Sequence, residues 1–200
     1  MVDQSDFSSK EIIDDGLSWY AVRLFTLRLK EVKAYFEALD YECFVPMQYV
    51  DIEKPEGGVK HELRPVTHNF IFVKQTMSEA SFKKAVFGAN FKINVIRKVD
   101  DVTQFALIPS KQMYDFRMMC NPEITLRKFL SESEAQMKAG DPVLVKYGAM
   151  KGMTGRLVRS NKKYYLLKEV PGMGVMLKVS RWCCVPIEET VYQRKYLICF

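Results

Sequence analysis

At 200 residues, with 48% hydrophobic and 27% charged side chains, the chain has the composition of a folded globular protein and the length of two ordinary domains, which excludes a low-complexity or disordered scaffold. Its net charge of +6 is uneven: residues 137–200 hold 12 Lys and Arg against 4 Asp and Glu, while residues 1–136 hold 18 against 20. The basic C-terminal third points to an acidic partner, either nucleic acid or an acidic protein face. No apolar run approaches the roughly 18 residues of a membrane span and no basic-then-apolar leader opens the sequence, so a cytoplasmic protein without membrane contact is expected. Cys43, Cys120, Cys183, Cys184 and Cys199 are odd in number and contain no C-x-x-C pair, which predicts reduced thiols and neither a zinc site nor a disulfide framework.

Residues 1–18 are polar and acidic and are expected to be a mobile tail. WYAVRLF (Trp19 to Phe25) predicts a strand with Tyr20, Val22 and Leu24 on one face and Trp19, Ala21, Arg23 and Phe25 on the other. From Arg28 the period changes, and Leu29, Val32, Phe36 and Leu39 mark an amphipathic helix. Tyr41 to Glu53 is extended, with Pro46 at an edge or bulge, and KPEGGVK (Lys54 to Lys60) predicts a hairpin tip. The returning run Phe70-Ile71-Phe72-Val73 reads as a central strand buried on both faces. Ser78 is placed to cap a helix with Phe82, Ala85 and Val86 on one side, and Ile93 to Val99 forms the next strand. The order is βαββαβ, closed by a helix within Ala106 to Met119 whose expected cap is Ser110. Residues 120–136 are expected to be a linker in which Ile124, Leu126, Phe129 and Leu130 can dock on a neighbour. Five short strands follow: Val143 to Lys146, Gly155 to Arg159, Tyr164 to Glu169, Val175 to Val179 and Trp182 to Ile187. They predict a small barrel.

The sequence carries no convincing catalytic set. His61 and His68 are the only histidines and lie seven apart in an extended segment, so they form no helical metal pair. Cys43 and His68 form a conceivable nucleophile and base, but nothing orients the imidazole. Gly148, Gly152 and Gly155 are followed by Arg156 and a strand, whereas a phosphate loop ends in Gly-Lys-Ser/Thr and opens a helix. The expectation is a non-enzyme without metal or cofactor.

GDPVLVKYGAMKGMTGRLVR (Gly140 to Arg159) resembles the KOW motif, in which Gly-Asp, an apolar strand, a Gly-bearing turn and a second Gly begin a small SH3-like barrel. Upstream, WYAVRLF, ECFVPM, HNFIFVKQT and ALIPS are similar to successive landmarks of the NusG N-terminal (NGN) domain. The resemblance covers Trp19 to about Glu189. It implies an α+β protein: an NGN α/β sandwich with a four-stranded antiparallel sheet at 19–119, a linker at 120–136, a five-stranded SH3-like KOW β-barrel at 137–190 and a C-terminal tail at 191–200. His68-Asn69-Phe70 stands where general NusG usually has Pro-Gly-Tyr, and EVPGMGVMLKVS departs from the usual Phe-Gly-Arg-x-Thr-Pro stretch. Both departures resemble specialised RfaH-like or UpxY-like paralogues.

The resemblance implies a monomeric transcription elongation and antitermination factor that bridges the jaws of RNA polymerase, biasing the clamp closed and opposing pausing. It nominates Tyr20, Arg23, Val66, Thr67, His68 and Phe70 for the clamp contact, although Phe70 serves equally as a core residue. Ser81, Phe82 and Lys83 occupy the position that faces the opposite jaw. Arg28 and Lys30 are candidates for non-template DNA, or a solvated helix face. In the KOW domain, Gly148, Gly152 and Gly155 shape the turn, and Arg156, Arg159, Lys162 and Lys163 beside Tyr164-Tyr165 offer a basic and aromatic partner surface. The partner implied is a small-subunit ribosomal protein or Rho, with nucleic acid second. The alternative class is a ribosome- or RNA-binding KOW protein acting in translation. Against it stands an N-terminal domain of about 100 residues that carries none of the excess positive charge.

Overall fold

Strand 1 and the strand that returns beside it organise everything else. The computed structural model describes residues 12–124 and 126–187, and within them the fold is α+β, with four α-helices and three sheets. The first sheet runs β2 (Cys43–Phe44), β5 (Phe70–Lys74), β1 (Trp19–Leu24), β6 (Ile93–Val95), all antiparallel. A fifth strand, β7 (Leu107–Ile108), shares the edge of β1 with β6, because β6 pairs with Val22 to Leu24 and β7 with Trp19 and Tyr20. The hairpin of β3 (Met47–Glu53) and β4 (Val59–Pro65) stands apart as a two-stranded ribbon. Pro46 lies between β2 and β3, where it needs to donate to no ladder, and its carbonyl accepts the Val66 N–H at 2.9 Å.

The two faces of this sheet are covered differently. Tyr20, Val22, Ile71 and Val73 pack with α1 (Leu29–Glu37) and α2 (Glu79–Gly88) through Val32, Phe36 and Phe82. Trp19, Ala21 and Phe72 face the other way, against α3 (Ser110–Met119). This division follows from the alternation of side chains along a strand. Ser78 caps α2 as expected, accepting the Ser81 N–H at 3.2 Å. Ser110 differs: Pro109 is the cap residue of α3, and the Ser110 hydroxyl instead accepts the Gly16 N–H at 3.2 Å and donates to Asp14. The segment around Asp14 to Ser18 is thus tied down, with Asp15 also 2.6 Å from Lys74, although it was expected to belong to a mobile tail. Residues 1–11 of that tail, and the C-terminal tail at 191–200, lie outside the described residues.

The C-terminal sheet runs β13 (Cys184–Pro186), β9 (Asp141–Val145), β10 (Thr154–Ser160), β11 (Lys163–Val170), β12 (Met173–Val179), β8 (Arg127–Ser131). All five expected strands form, the last shortened to Cys184–Pro186 because Arg181–Cys183 makes a 3-10 turn. Two differences from the expectation stand out. Part of the stretch read as linker is structured: β8 pairs along the outer edge of β12, and Ser131 starts α4 (Glu132–Gln136) through a reciprocal capping box with Glu134. The sheet also stays open among the described residues, since no ladder joins β13 to β8 or β12, and the expected closed barrel is not seen. Its edge strands are β13, paired with β9, and the linker strand β8, paired with β12.

Phe82 stacks on Tyr20 at 4.1 Å between ring centroids and meets Phe36, Tyr41 and Phe105 within 5.6–6.0 Å, with no exposed surface. Phe82→Ala should therefore cost about 3–5 kcal/mol in denaturant unfolding, whereas a surface-contact role for Phe82 requires a change near zero.

Candidate functional site

Part of the surface nominated for partner contact, Arg23, Val66 and Phe70, lies where the two halves of the chain meet. Helix α3 belongs to the N-terminal half, yet Met113, Phe116 and Met119 form one continuous apolar cluster with Val143, Leu166, Val170 and Val175 of the C-terminal sheet. At its centre Asp115 and Lys168 are 0% and 1% exposed. Lys168 Nζ is 3.1 Å from Asp115 Oδ2 and donates to the Thr154 carbonyl, also at 3.1 Å, while Lys111 Nζ reaches Asp115 Oδ1 at 2.8 Å. Burial pushes the Lys168 ammonium below the ordinary lysine range, and the Asp115 charge opposes that push. Nearby, Gln112 Nε2 donates to the Glu169 carbonyl at 2.7 Å, a second polar link across the boundary.

Of the residues nominated for the clamp contact, Arg23, Val66 and Phe70 are on this same side of the sheet. Arg23 and Phe70 are direct cross-strand partners, which sets the guanidinium 5.2 Å from the Phe70 ring centroid. Phe70 is only 4% exposed because the β11–β12 turn covers it. That turn carries Pro171 then Gly172, and Gly172 has φ +95°, as the third position of a type II turn requires. A Cβ on Gly172 would lie 2.4 Å from Phe70 Cε1, so only glycine allows the approach. Glu132 of α4 stands 4.0 Å from Arg23, and Val66 packs against the shared cluster. Tyr20 is corrected: it has the opposite parity, is 0% exposed and stacks on Phe82, so it contributes no surface.

Thr67 and His68 lie in the β4–β5 turn, with His68 exposed. They border an open cleft of about 410 Å³ between this turn and residues 24–27. Phe25 and Leu27, exposed on the opposite wall, were not singled out from the sequence. An apolar residue ending a strand gives no signal of which side solvent occupies. Lys92 sits 5.9 Å from the Phe25 ring, Arg28 sits 5.1 Å from Phe91 and pairs with Glu31, and Lys30 is exposed beside them. On α2, Ser81 is exposed and Lys83 pairs with Glu79 at 2.7 Å, while Phe82 belongs to the core and leaves the opposite-jaw set.

The C-terminal set divides. Gly148 and Gly152 turn the β9–β10 connection with φ of +86° and +88°. Gly155 is inside β10, where a Cβ would meet the Leu167 carbonyl oxygen at 2.5 Å. Arg156 is corrected as a partner contact: it donates to the Lys138 and Ala135 carbonyls at 2.6 and 3.0 Å and pairs with Glu169, holding α4 to the sheet. Arg159 and Lys163 remain exposed, as does Lys162, which with Asn161 forms a two-residue turn with both φ positive.

Chemistry finds little support in these surroundings. Burial pushes the Cys43 thiol up to about 12, leaving it protonated and a poor nucleophile at neutral pH. Among the described residues no group of three or more His, Cys, Asp or Glu is placed to hold a metal ion, and no helix is long and apolar enough to cross a membrane.

A family model described as "Transcription termination factor nusG" matches residues 17–117, from the strand-leading segment into α3. No curated protein matches the chain. The matched region covers half of the chain and holds the sheet, all three helices around it and the nominated face, and the chain therefore belongs to the NusG family of transcription elongation and termination factors.

Proposed function

We propose that the chain is a specialised, RfaH-like or UpxY-like antitermination factor that binds RNA polymerase through the N-terminal domain and recruits a partner through the C-terminal one. The observation that carries this reading is the match over residues 17–117 together with the surface around His68 and Phe70. Arg23, Val66, Thr67, His68 and Phe70 form the clamp contact, with Ser81 and Lys83 toward the opposite jaw. Arg28 and Lys30, next to exposed Phe25, offer cations and an aromatic face to non-template DNA. A small-subunit ribosomal protein or Rho is the partner proposed for the C-terminal domain.

The docked arrangement adds a condition. Gly172 covers Phe70, and Glu132 stands 4.0 Å from the half-exposed Arg23, so polymerase and the C-terminal domain compete for the Phe70 part of one face. A ligand that needs the open form binds with its intrinsic affinity reduced by the open fraction. Asp115→Asn leaves the buried Lys168 ammonium without its counter-charge, which disfavours the docked form.

Two measurements with cognate core RNA polymerase test this. His68→Ala, alone or with Phe70→Ala, should weaken binding at least about tenfold in a protein that still folds. Asp115→Asn should tighten apparent binding by about tenfold or more. Failure of both wild type and Asp115→Asn to bind at micromolar concentration would sink the polymerase reading.

A further inference from the structure

Two large aromatic side chains stand together on the C-terminal sheet without a role in its core. Tyr147, in the β9–β10 connection, is 57% exposed, and Trp182, in the 3-10 turn before β13, is 72% exposed. Their ring centroids lie 6.0 Å apart with planes tilted by 31°. The backbone fixes this pairing: Cys184 is paired with Val145, and the Lys146 N–H donates to the Cys183 carbonyl at 2.8 Å, which brings the next residues on each side together. Neither ring joins the apolar cluster shared by the two halves, so the pair stays open while the halves are docked. Leaving such area in water forgoes about 25 cal/mol per Å² of burial.

The charge around the pair has one sign. Lys146, Lys151 and Arg181 are exposed neighbours in the same two segments, and the Arg181 guanidinium is steadied by donating to the Cys184 carbonyl at 3.3 Å. Residues 142–168 contain no Asp or Glu and seven Lys and Arg, of which Arg156 and Lys168 are paired internally and Lys146, Lys151, Arg159, Lys162 and Lys163 are exposed, and residues 170–187 add exposed Lys178 and Arg181, again without an acid. A protein partner of mixed charge would not call for such uniformity. A polyanion does, and aromatic faces beside cations suit one whose bases are unpaired. In duplexes the bases are stacked on each other and closed to these rings.

We infer that Tyr147 and Trp182, flanked by Lys146, Lys151 and Arg181, form a binding surface for single-stranded RNA. Tyr147 and Trp182 stack on bases and the three cations neutralise phosphates. The choice of RNA rests on the polymerase reading above, since the transcript is the strand that leaves the enzyme without a complement. The surface shares no residue with the His68–Phe70 face or with the set of Arg159, Lys162 and Lys163.

The test needs no polymerase, so its outcome is independent of the clamp experiment. The chain has two tryptophans, and Trp19 is 2% exposed, so quenching by ligand reports on Trp182. Titrating the full chain with a short unstructured RNA at low salt should quench this emission. Followed by anisotropy of the labelled RNA, Trp182→Ala should weaken binding at least about tenfold, with Trp182→Phe retaining most of the affinity. Lys146→Ala with Arg181→Ala should reduce the slope of log K against log salt by about 1.4. The inference is overturned if RNA leaves Trp182 emission unchanged, if Trp182→Ala binds like wild type, or if duplex RNA binds as tightly as the single strand. Retention of a ribosomal small-subunit protein by this surface in the absence of any RNA affinity would likewise overturn it.

Discussion

The Asp115–Lys168 ion pair is the constraint on which the arrangement of the two halves depends. Each charge would cost several kcal/mol if buried alone, and the interior repays that only when the partner and its hydrogen bonds are in place. Lys111 reaches Asp115 and the Thr154 carbonyl accepts from Lys168, so the polar centre is satisfied in one docking geometry. The apolar cluster around it is permissive by comparison, since Leu, Val and Met surfaces tolerate sliding. The ion pair therefore selects orientation, and hydrophobic burial by Met113, Phe116, Leu166 and Val175 supplies most of the attraction.

From this orientation the rest follows. Fixing α3 against β11 carries the β11–β12 turn over the sheet, and Gly172 then meets Phe70 at a distance no other residue allows. Arg23 is held between the Phe70 ring and Glu132. Linker segments that look like a spacer complete the docking: β8 extends the C-terminal sheet, and Arg156 ties α4 to it. Within the face that the family resemblance nominates for polymerase, Phe70 is thereby covered by the chain itself, while His68 stays exposed. The Tyr147–Trp182 pair lies outside this closure.

Much of this was legible in the sequence. The parity of WYAVRLF correctly separates the two faces of β1, and the Phe70–Val73 run correctly marks a strand buried on both sides. Tyr20 and Phe82 are nominated for contact by their positions in the family pattern, which carries no information on burial, and both side chains belong to the core. Lys168 held an unused signal: it shares the parity of Leu166 and Val170, where a lysine needs a partner. That the partner is Asp115, 53 residues away on a helix, is a tertiary fact that no local pattern carries. Likewise β8 pairs with a strand more than 40 residues further on, and its Arg127-Lys128 opening has the composition of a linker.

The most direct test of the shared core is scanning calorimetry of the whole chain. A cluster continuous across both halves predicts one cooperative transition, with calorimetric and van't Hoff enthalpies equal within error. Two separable transitions, each with the enthalpy of a single domain, would mean that the halves unfold independently and would contradict the account of the covered face.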